Sequence, residues 1–350
     1  MHTPLHFTRI DGEGLRRPAS GGSVDGVGSF PRHARVVAIG NFDGVHRGHQ
    51  LVLARNALAS EGPPLAVLTF DPHPAAALGR AVPKALTTLE RKAELLVRLG
   101  VGEVLVQTFD DAFAALSPER FVLDLLVRDL GARALVVGRN FRFGRARAGD
   151  LALLQHLGAE HGFEVRCADL HGDDRGPFSS TRVRDALARG DIADATHVLG
   201  RPHAFSGVVG RGAQRGRTLG FPTANVDNVL ELVPALGVYA VVVDVINDPG
   251  DGRTRALGRG VMNVGVRPTI DASEIRTQEV HLFDKGDPRD VDLYDATLRV
   301  HVIARIRDEK KFASIDALRA QIAEDARVAR ELTAPLEPTH VHPDGTRAYG

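Results

Sequence analysis

From about residue 35 to residue 178 the chain alternates short apolar runs with segments of helical period, and this constrains its fold more than any other feature. The runs are "VVAIG", "LAVLTF", "EVLVQTF", "ALVVG" and "FEVRC". Between them lie "HQLVLARNALAS", "LERKAELLVRLG", "PERFVLDLLVRDLG" and "DLALLQHLGAEHG". A run without polar alternation must be covered on both faces, and amphipathic helices supply the cover, so the pattern predicts a parallel α/β sheet. Every strand-to-helix loop of such a sheet opens at one edge, and ligands bind there, near the point where strand order reverses.

After "VLGRPHAFSG" the texture changes. Gly- and Pro-rich turns now separate "AFSGVVGRG", "GVYAVVVDVI", "RALGRGVMNVG", "QEVHLF" and "ATLRVHVIARI", without intervening helices. In the last, Leu298, Val300, Val302, Ala304 and Ile306 alternate with mainly polar neighbours, the period of a half-buried strand. The pattern predicts a small antiparallel β-barrel, closed by a helix over "SIDALRAQIAEDARVARELT" with Ser314 as its N-cap. The fold class is therefore α/β plus all-β. The expected divisions are a flexible leader (1–30), an α/β domain (31–186), a barrel domain (187–332) and a flexible tail (333–350), a comfortable two-domain use of 350 residues.

Composition narrows the class of partner. Lys+Arg and Asp+Glu are balanced at 44 each, which argues against a general nucleic-acid binder. The single cysteine, Cys167, leaves neither an intrachain disulfide nor a thiolate zinc cluster. There is no run of signal-peptide or membrane-span character. The expectation is a cytoplasmic protein, monomeric or weakly homo-oligomeric, that handles small molecules without nucleic acid or membrane.

Five chemically rich segments fall in the loops of the first half: "GNFDGVHRGH", "FDPHP", "FDDAF", "GRNFRFGRARAG" and "FSSTRVRDALARG". In the first, His46 and His49 lie on one face of an opening helical turn, where backbone amides and the helix dipole favour phosphate. Imidazoles there would neutralise charge that develops in phosphoryl or nucleotidyl transfer. A zinc site would need His73 as a third ligand, and two capping histidines are the plain alternative. "SSTR" offers hydroxyls and a guanidinium at another helix start, equally suited to an N-cap. Arg142, Arg145 and Arg147 suit a pyrophosphate or a solvated face.

In the second half, "GRGAQRGRTLGFPTANV" is fitted to cradle phosphate through its backbone amides, but it lacks a Walker pattern. Thr223 and Asn225 are oxygen donors suited to Mg²⁺. Glu279 is an acid in an otherwise apolar strand, costly there unless used, paired or turned to solvent.

Taken together, "GNFDGVHRGH", "TFDPHP", "VGRNFRFG" and "SSTRVR" resemble the adenylyltransferase half of the prokaryotic bifunctional riboflavin kinase/FAD synthetase family. "GRTLGFPTAN", "GVYAV", "MNVGVRPT", "EVHLF", "DLY" and "RDEKKF" resemble its riboflavin kinase module. The resemblance implies a Rossmann-like nucleotidyltransferase domain followed by the barrel. It implies ATP, riboflavin and FMN as substrates and Mg²⁺ as cofactor. For site residues it implies that His46 and His49 contact the ATP phosphates and stabilise the transferring group. Gly40, Phe42, Asp43, Asn140, Ser180, Thr181 and Arg184 bind nucleotide, and Phe70 and His73 line the flavin side. In the second module Gly210 and Arg217 bind phosphate, Thr223 and Asn225 hold Mg-nucleotide, and Glu279 is the base for the riboflavin 5′-hydroxyl. Asp295 departs from the family, which commonly has glycine after "DLY". A kinase with a decayed first half and a flavin-binding sensor without turnover are the rival readings.

Overall fold

The computed structural model describes residues 7–11, 14–16, 34–57, 62–210, 223–246, 254–268, 274–283, 293–341 and 347–350. The chain divides into two compact units, one of Thr3–Pro83 with Thr88–Ser179, the other of Lys84–Thr87 with Ser180–Gly350.

The first unit contains strands β1 (Phe7–Asp11), β2 (Gly14–Arg16), β3 (Arg35–Ile39), β4 (Leu65–Asp71), β5 (Glu103–Thr108), β6 (Ala132–Gly138) and β7 (Glu164–Ala168). Its main helices are α1 (Arg47–Ala57), α2 (Pro74–Ala77), α3 (Leu89–Arg98), α4 (Asp111–Ala114), α5 (Pro118–Arg120) and α6 (Leu151–His161). Strand order is β2-β1-β5-β4-β3-β6-β7, and β1, β5, β4, β3, β6 and β7 run parallel. The chain steps from β3 through β4 to β5, then returns to the other side of β3 with β6. The reversal therefore falls beside the end of β3, at "GNFDGVHRGH".

The apolar runs behave as expected. Along β3, Val37 and Ile39 enter one core cluster with Leu126, Leu135 and Leu154, while Val36 and Ala38 enter another with Leu53, Leu96 and Val104. Burial on both faces explains a run without polar alternation. The third helical segment continues from α5 as a wider helix over Phe121–Asp129, in which the Leu130 amide donates to the Leu125 carbonyl at 2.9 Å.

The leader expected to be loose supplies the sheet edge instead. β1 pairs in parallel with β5, Ile10 is buried in the core, and Arg9 meets Asp71 at 2.8 Å. The strand is too short and too polar to stand out in a Gly/Ser/Arg-rich leader.

In the second unit α7 (Ser180–Arg189) and α8 (Ile192–Leu199) precede the barrel; a small hairpin, β8 (Gly172–Asp173) with β9 (Gly176–Pro177), ends the first unit. The buried face of α7 carries Val183, Ala186 and Leu187, and the Leu187 carbonyl accepts from the Ala235 amide. The barrel is closed by β10 (His203–Gly210), β11 (Ala224–Asp227), β12 (Gly237–Ile246), β13 (Arg255–Pro268), β14 (Glu274–Leu282) and β15 (Thr297–Arg307), in the order β10-β11-β14-β13-β12-β15. Helix α9 (Ile315–Thr333) is N-capped by Ser314, whose hydroxyl accepts from the Ala317 amide at 3.1 Å.

β15 differs from a simple half-buried strand. Its polar residues Arg299 and His301 are also buried. β16 (His340–Val341) pairs with β17 (Arg347–Ala348); Ala348 is buried, and the Tyr349 amide donates to Asp244 at 2.8 Å. Arg299 donates to the Gly350 carbonyl, and the other Asp244 oxygen lies 2.9 Å from His301 Nε2. The tail expected to be loose from residue 333 thus ends as a strap on the barrel. Proline content reads as mobility, and a backbone amide bound to a buried carboxylate leaves no mark in sequence.

Candidate active sites

In the first unit the loop after β3 turns sharply, with φ of 48° at Phe42, 79° at Gly44 and 41° at Val45. A valine in the left-handed region is strained, and strain of this kind is held where a site needs a particular backbone. The turn delivers His46 to the start of α1, where its carbonyl accepts the first helical bond from Gln50. His49 follows within the first turn, and the two imidazoles stack with centroids 3.6 Å apart at 23°. Phe42 packs 4.9 Å from the His49 ring, and Asp43 and His46 are buried. Gly48 makes the stack possible: a Cβ there would lie 3.1 Å from His46 Nδ1 and from the Phe178 carbonyl. Burial, the neighbouring His46 and the Lys92 ammonium hold His49 well below the ordinary histidine value of 6.5. Its Nδ1 is shielded from solvent, with no hydrogen-bond partner among the described residues.

The loop after β4 carries His73 at the N-cap of α2, where Nδ1 accepts from the Ala75 amide at 3.1 Å. Its Nε2 lies 3.1 Å from Asn41 Nδ2, joining this loop to the one after β3. Between the two opens a cavity of about 380 Å³ to which Gly40, Asn41, His73 and Asn140 contribute. Its apolar wall is Phe70, Phe109, Phe113, Phe121, Phe141 and Phe143, six of the chain's 15 phenylalanines. Phe70 and Phe109 meet edge-on at 5.6 Å and 86°, whereas Phe141 and Phe143 stack at 5.3 Å and 21°. A flat aromatic ligand with a polar end suits such a slot. Gly40, Phe70, His73 and Asn140, singled out in the sequence, meet here; the other five phenylalanines do not stand out, being spread over the segments after β5 and β6 and the helix that starts at Phe121. Arg142, a candidate anion ligand, pairs instead with Asp150 at 3.1 Å.

Ser180, Thr181 and Arg184 occupy the first turn and a half of α7. The Arg184 guanidinium donates to the Lys84 carbonyl at 2.9 Å, and Arg182 forms a buried pair with Asp194.

In the second unit the barrel register aligns a row of residues on four strands. Gly210 of β10 faces Asn225 of β11, Asn225 faces Glu279 of β14, and Glu279 faces Asn263 of β13. Directly opposed residues share a sheet face, so one carboxylate sits between two amides. Thr223 stands two residues before Asn225 at the mouth of β11. Asn263 was not legible from sequence as a site residue; only the pairing of β13 with β14 reveals it. Close by, a Cβ on Gly265 would lie 2.7 Å from a Glu309 oxygen and 2.9 Å from the Asn263 amide nitrogen. Arg217 and the rest of the glycine-rich segment after Gly210 lie outside the described residues.

Asp295, where the resemblance leads one to expect glycine, adopts φ of 64° and donates its amide to the Val209 carbonyl at 3.1 Å. Aspartate is among the few side chains that accept this conformation, so the turn is kept.

Comparison with known proteins bears on both sites. The FAD synthetase family model matches residues 31–182, and the riboflavin kinase family model matches residues 199–333. The bifunctional riboflavin kinase/FMN adenylyltransferase of Escherichia coli K12 is 41% identical over 321 residues, covering 90% of this chain and 98% of that protein. The protein of the same name from Pseudomonas fluorescens is 42% identical over 308 residues, covering 87% and 95%. A solved structure described as a macrolide-efflux protein from Streptococcus pneumoniae superposes with a TM-score of 0.73 at 32% identity, over 85% of this chain and 94% of that one. Among the described residues no helix is long and apolar enough to cross a membrane. With two family models end to end and relatives matched over almost their whole length, the chain belongs to the bifunctional riboflavin kinase/FMN adenylyltransferase family.

Proposed function

We propose that the chain phosphorylates riboflavin to FMN and then adenylylates FMN to FAD, each step consuming ATP. The observation that carries the reading is the juxtaposition, around Gly40 and Asn41, of a stacked histidine pair with a phenylalanine-lined slot. The slot takes the flavin ring system, which leaves the FMN phosphate directed toward the histidines. A phosphate oxygen of FMN attacks the α-phosphorus of ATP, the bond to the bridging oxygen breaks, and pyrophosphate leaves. His46 and His49 donate hydrogen bonds to the oxygens that gain charge. His49, neutral at physiological pH, does so through one ring N–H. Phe42 and Asp43 shape the turn that presents them, Asn140 contacts the nucleotide, and Ser180, Thr181 and Arg184 hold the triphosphate. We accordingly assign adenylyl transfer to residues 31–186 and the kinase to residues 187–332.

In the kinase, Glu279 accepts the riboflavin 5′-hydroxyl proton as that oxygen attacks the γ-phosphorus, and ADP leaves. Gly210 and Arg217 contact phosphate. The Thr223 hydroxyl and the Asn225 carbonyl are hard oxygen donors, and Asn225 is nearly buried beside Glu279, which fits Mg²⁺ carried in on nucleotide phosphates. Bound there, Mg²⁺ neutralises polyphosphate charge. The even charge balance supports small-molecule substrates over nucleic acid, and we take the enzyme to be cytoplasmic and a monomer or weak homo-oligomer.

Chromatography of the products from riboflavin, ATP and Mg²⁺ tests the reading. FMN appearing first and FAD after it is expected. FMN alone would leave only the kinase, and unchanged riboflavin would point to a flavin-binding protein without turnover.

A further inference from the structure

Lys92 lies on the core side of α3, one turn before Leu95 and Leu96, at a position where an apolar residue would pack without penalty. It is 8% exposed. Among the described residues its ammonium has one hydrogen-bond partner, the Thr69 hydroxyl at 3.3 Å. Burial lowers its pKa, while Asp43 and Asp71 act against that at longer range, and Asp71 is itself engaged by Arg9. Burying an ammonium with so little compensation is destabilising. Such a cost is kept where the charge is used.

The Thr69 hydroxyl donates in turn to the Asn41 carbonyl at 3.1 Å, and the Asn41 amide meets His73 at 3.1 Å. The chain Lys92–Thr69–Asn41–His73 thus starts in the core and ends on both site loops. The ammonium's charge also acts on His49, whose ring packs against His46 and Phe42.

We propose that Lys92 is a positioning residue for adenylyl transfer: through Thr69 and Asn41 it ties the loop after β3 to the loop after β4, and its positive charge acts on His49. This rests on the reading of His49 as a group that serves adenylyl transfer. Two imidazolium rings face to face at 3.6 Å would repel, so the stack needs at least one neutral ring. A cation acting on His49 favours that state and leaves the ring one N–H to donate.

Three variants of the full chain separate the two parts of the proposal. Lys92→Met keeps length and removes charge, Lys92→Arg keeps charge, and Thr69→Val breaks the chain of hydrogen bonds with the charge in place. The readouts are the pH dependence of kcat/KM for FAD formation from FMN and the titration of the His49 ring by NMR. In Lys92→Met the His49 titration and the acid limb of the rate profile should both move up by about one pH unit, the order expected for losing a nearby charge. Lys92→Arg should leave the limb in place. Thr69→Val should leave the limb in place and lower kcat by about tenfold, as for a small misplacement. An unshifted His49 titration in Lys92→Met, or the same shift in Lys92→Arg, overturns the electrostatic part. Wild-type kcat in Thr69→Val overturns the tie between loops, and Lys92→Gln takes the place of Lys92→Met in the titration if the latter does not fold. Wild-type FAD formation by His49→Ala would instead defeat the reading of the site. An inactive His49→Ala beside an unshifted Lys92→Met would defeat this inference alone.

Discussion

A Cβ on Gly48 would lie 3.1 Å from Nδ1 of His46, so the glycine between the two histidines sets how closely their rings stack. Gly48→Ala requires both the His46 ring and the Phe178 carbonyl to give by a few tenths of an ångström. FAD formation from FMN should fall by about ten- to a hundredfold, the penalty typical of misplacing a group at a reacting centre. Riboflavin phosphorylation should stay near wild type. Steady-state assays of the two half-reactions check this, and unchanged FAD synthesis would show that the stack does not govern transfer.

His49 also links stability to pH. Its folded value is pushed below the ordinary 6.5, so below pH 6.5 the unfolded chain binds a proton that the folded chain refuses. Stability should therefore be lost as pH falls from 6.5 toward the folded value, and be insensitive to this group above it. Urea denaturation of the wild type and of His49→Gln at about pH 5.5 and about pH 7.5 measures the difference. The variant should lose less stability between the two, and an equal loss in both proteins would contradict the assignment.

How much of this was legible beforehand follows from where the constraint lies. The β3 run announces a strand covered on both faces because Val36, Val37, Ala38 and Ile39 must each find an apolar neighbour. "GNFDGVHRGH" is legible because one short segment holds both histidines and Gly48. The phenylalanine slot is not, since Phe70 and Phe143 meet only through the sheet topology. Asn263 and Lys92 are hidden for the same reason: one depends on strand register, the other on which way a helix turns. β1 and the C-terminal strap are held by backbone pairing and by the contacts of Arg9 and Asp244, which composition does not record.

The strap makes its own prediction. Burial pushes the Asp244 carboxyl up, but hydrogen bonding and charge from His301 and the Tyr349 amide more than offset this and leave it low. Deleting residues 347–350 removes the Tyr349 amide from that buried oxygen and the Gly350 carbonyl from Arg299. The second unit should lose about 1–3 kcal/mol, the usual cost of leaving a buried polar group unsatisfied. Denaturant unfolding of the shortened chain checks it, and an unchanged midpoint would mean that water replaces the strap at no cost.

Asp295 tests the turn that leads into β15. Asp295→Gly should alter stability by no more than about 1 kcal/mol, because relief at φ of 64° is offset by a freer unfolded chain. Asp295→Val should cost about 1–3 kcal/mol, since a β-branched residue resists that conformation. Thermal unfolding separates them, and equal midpoints for the two variants would contradict the account.

The most direct test of two chemistries at two sites is a complementation assay that follows riboflavin to FAD by chromatography. His49→Ala should convert riboflavin to FMN and stop, with FAD formation slowed by about two to four orders of magnitude. Glu279→Gln should make FAD from supplied FMN but phosphorylate riboflavin at least about a hundredfold more slowly. Mixed, the two proteins should restore FAD formation from riboflavin, because each supplies the step the other lacks. FAD formed from riboflavin at the wild-type rate by either variant alone would contradict the account.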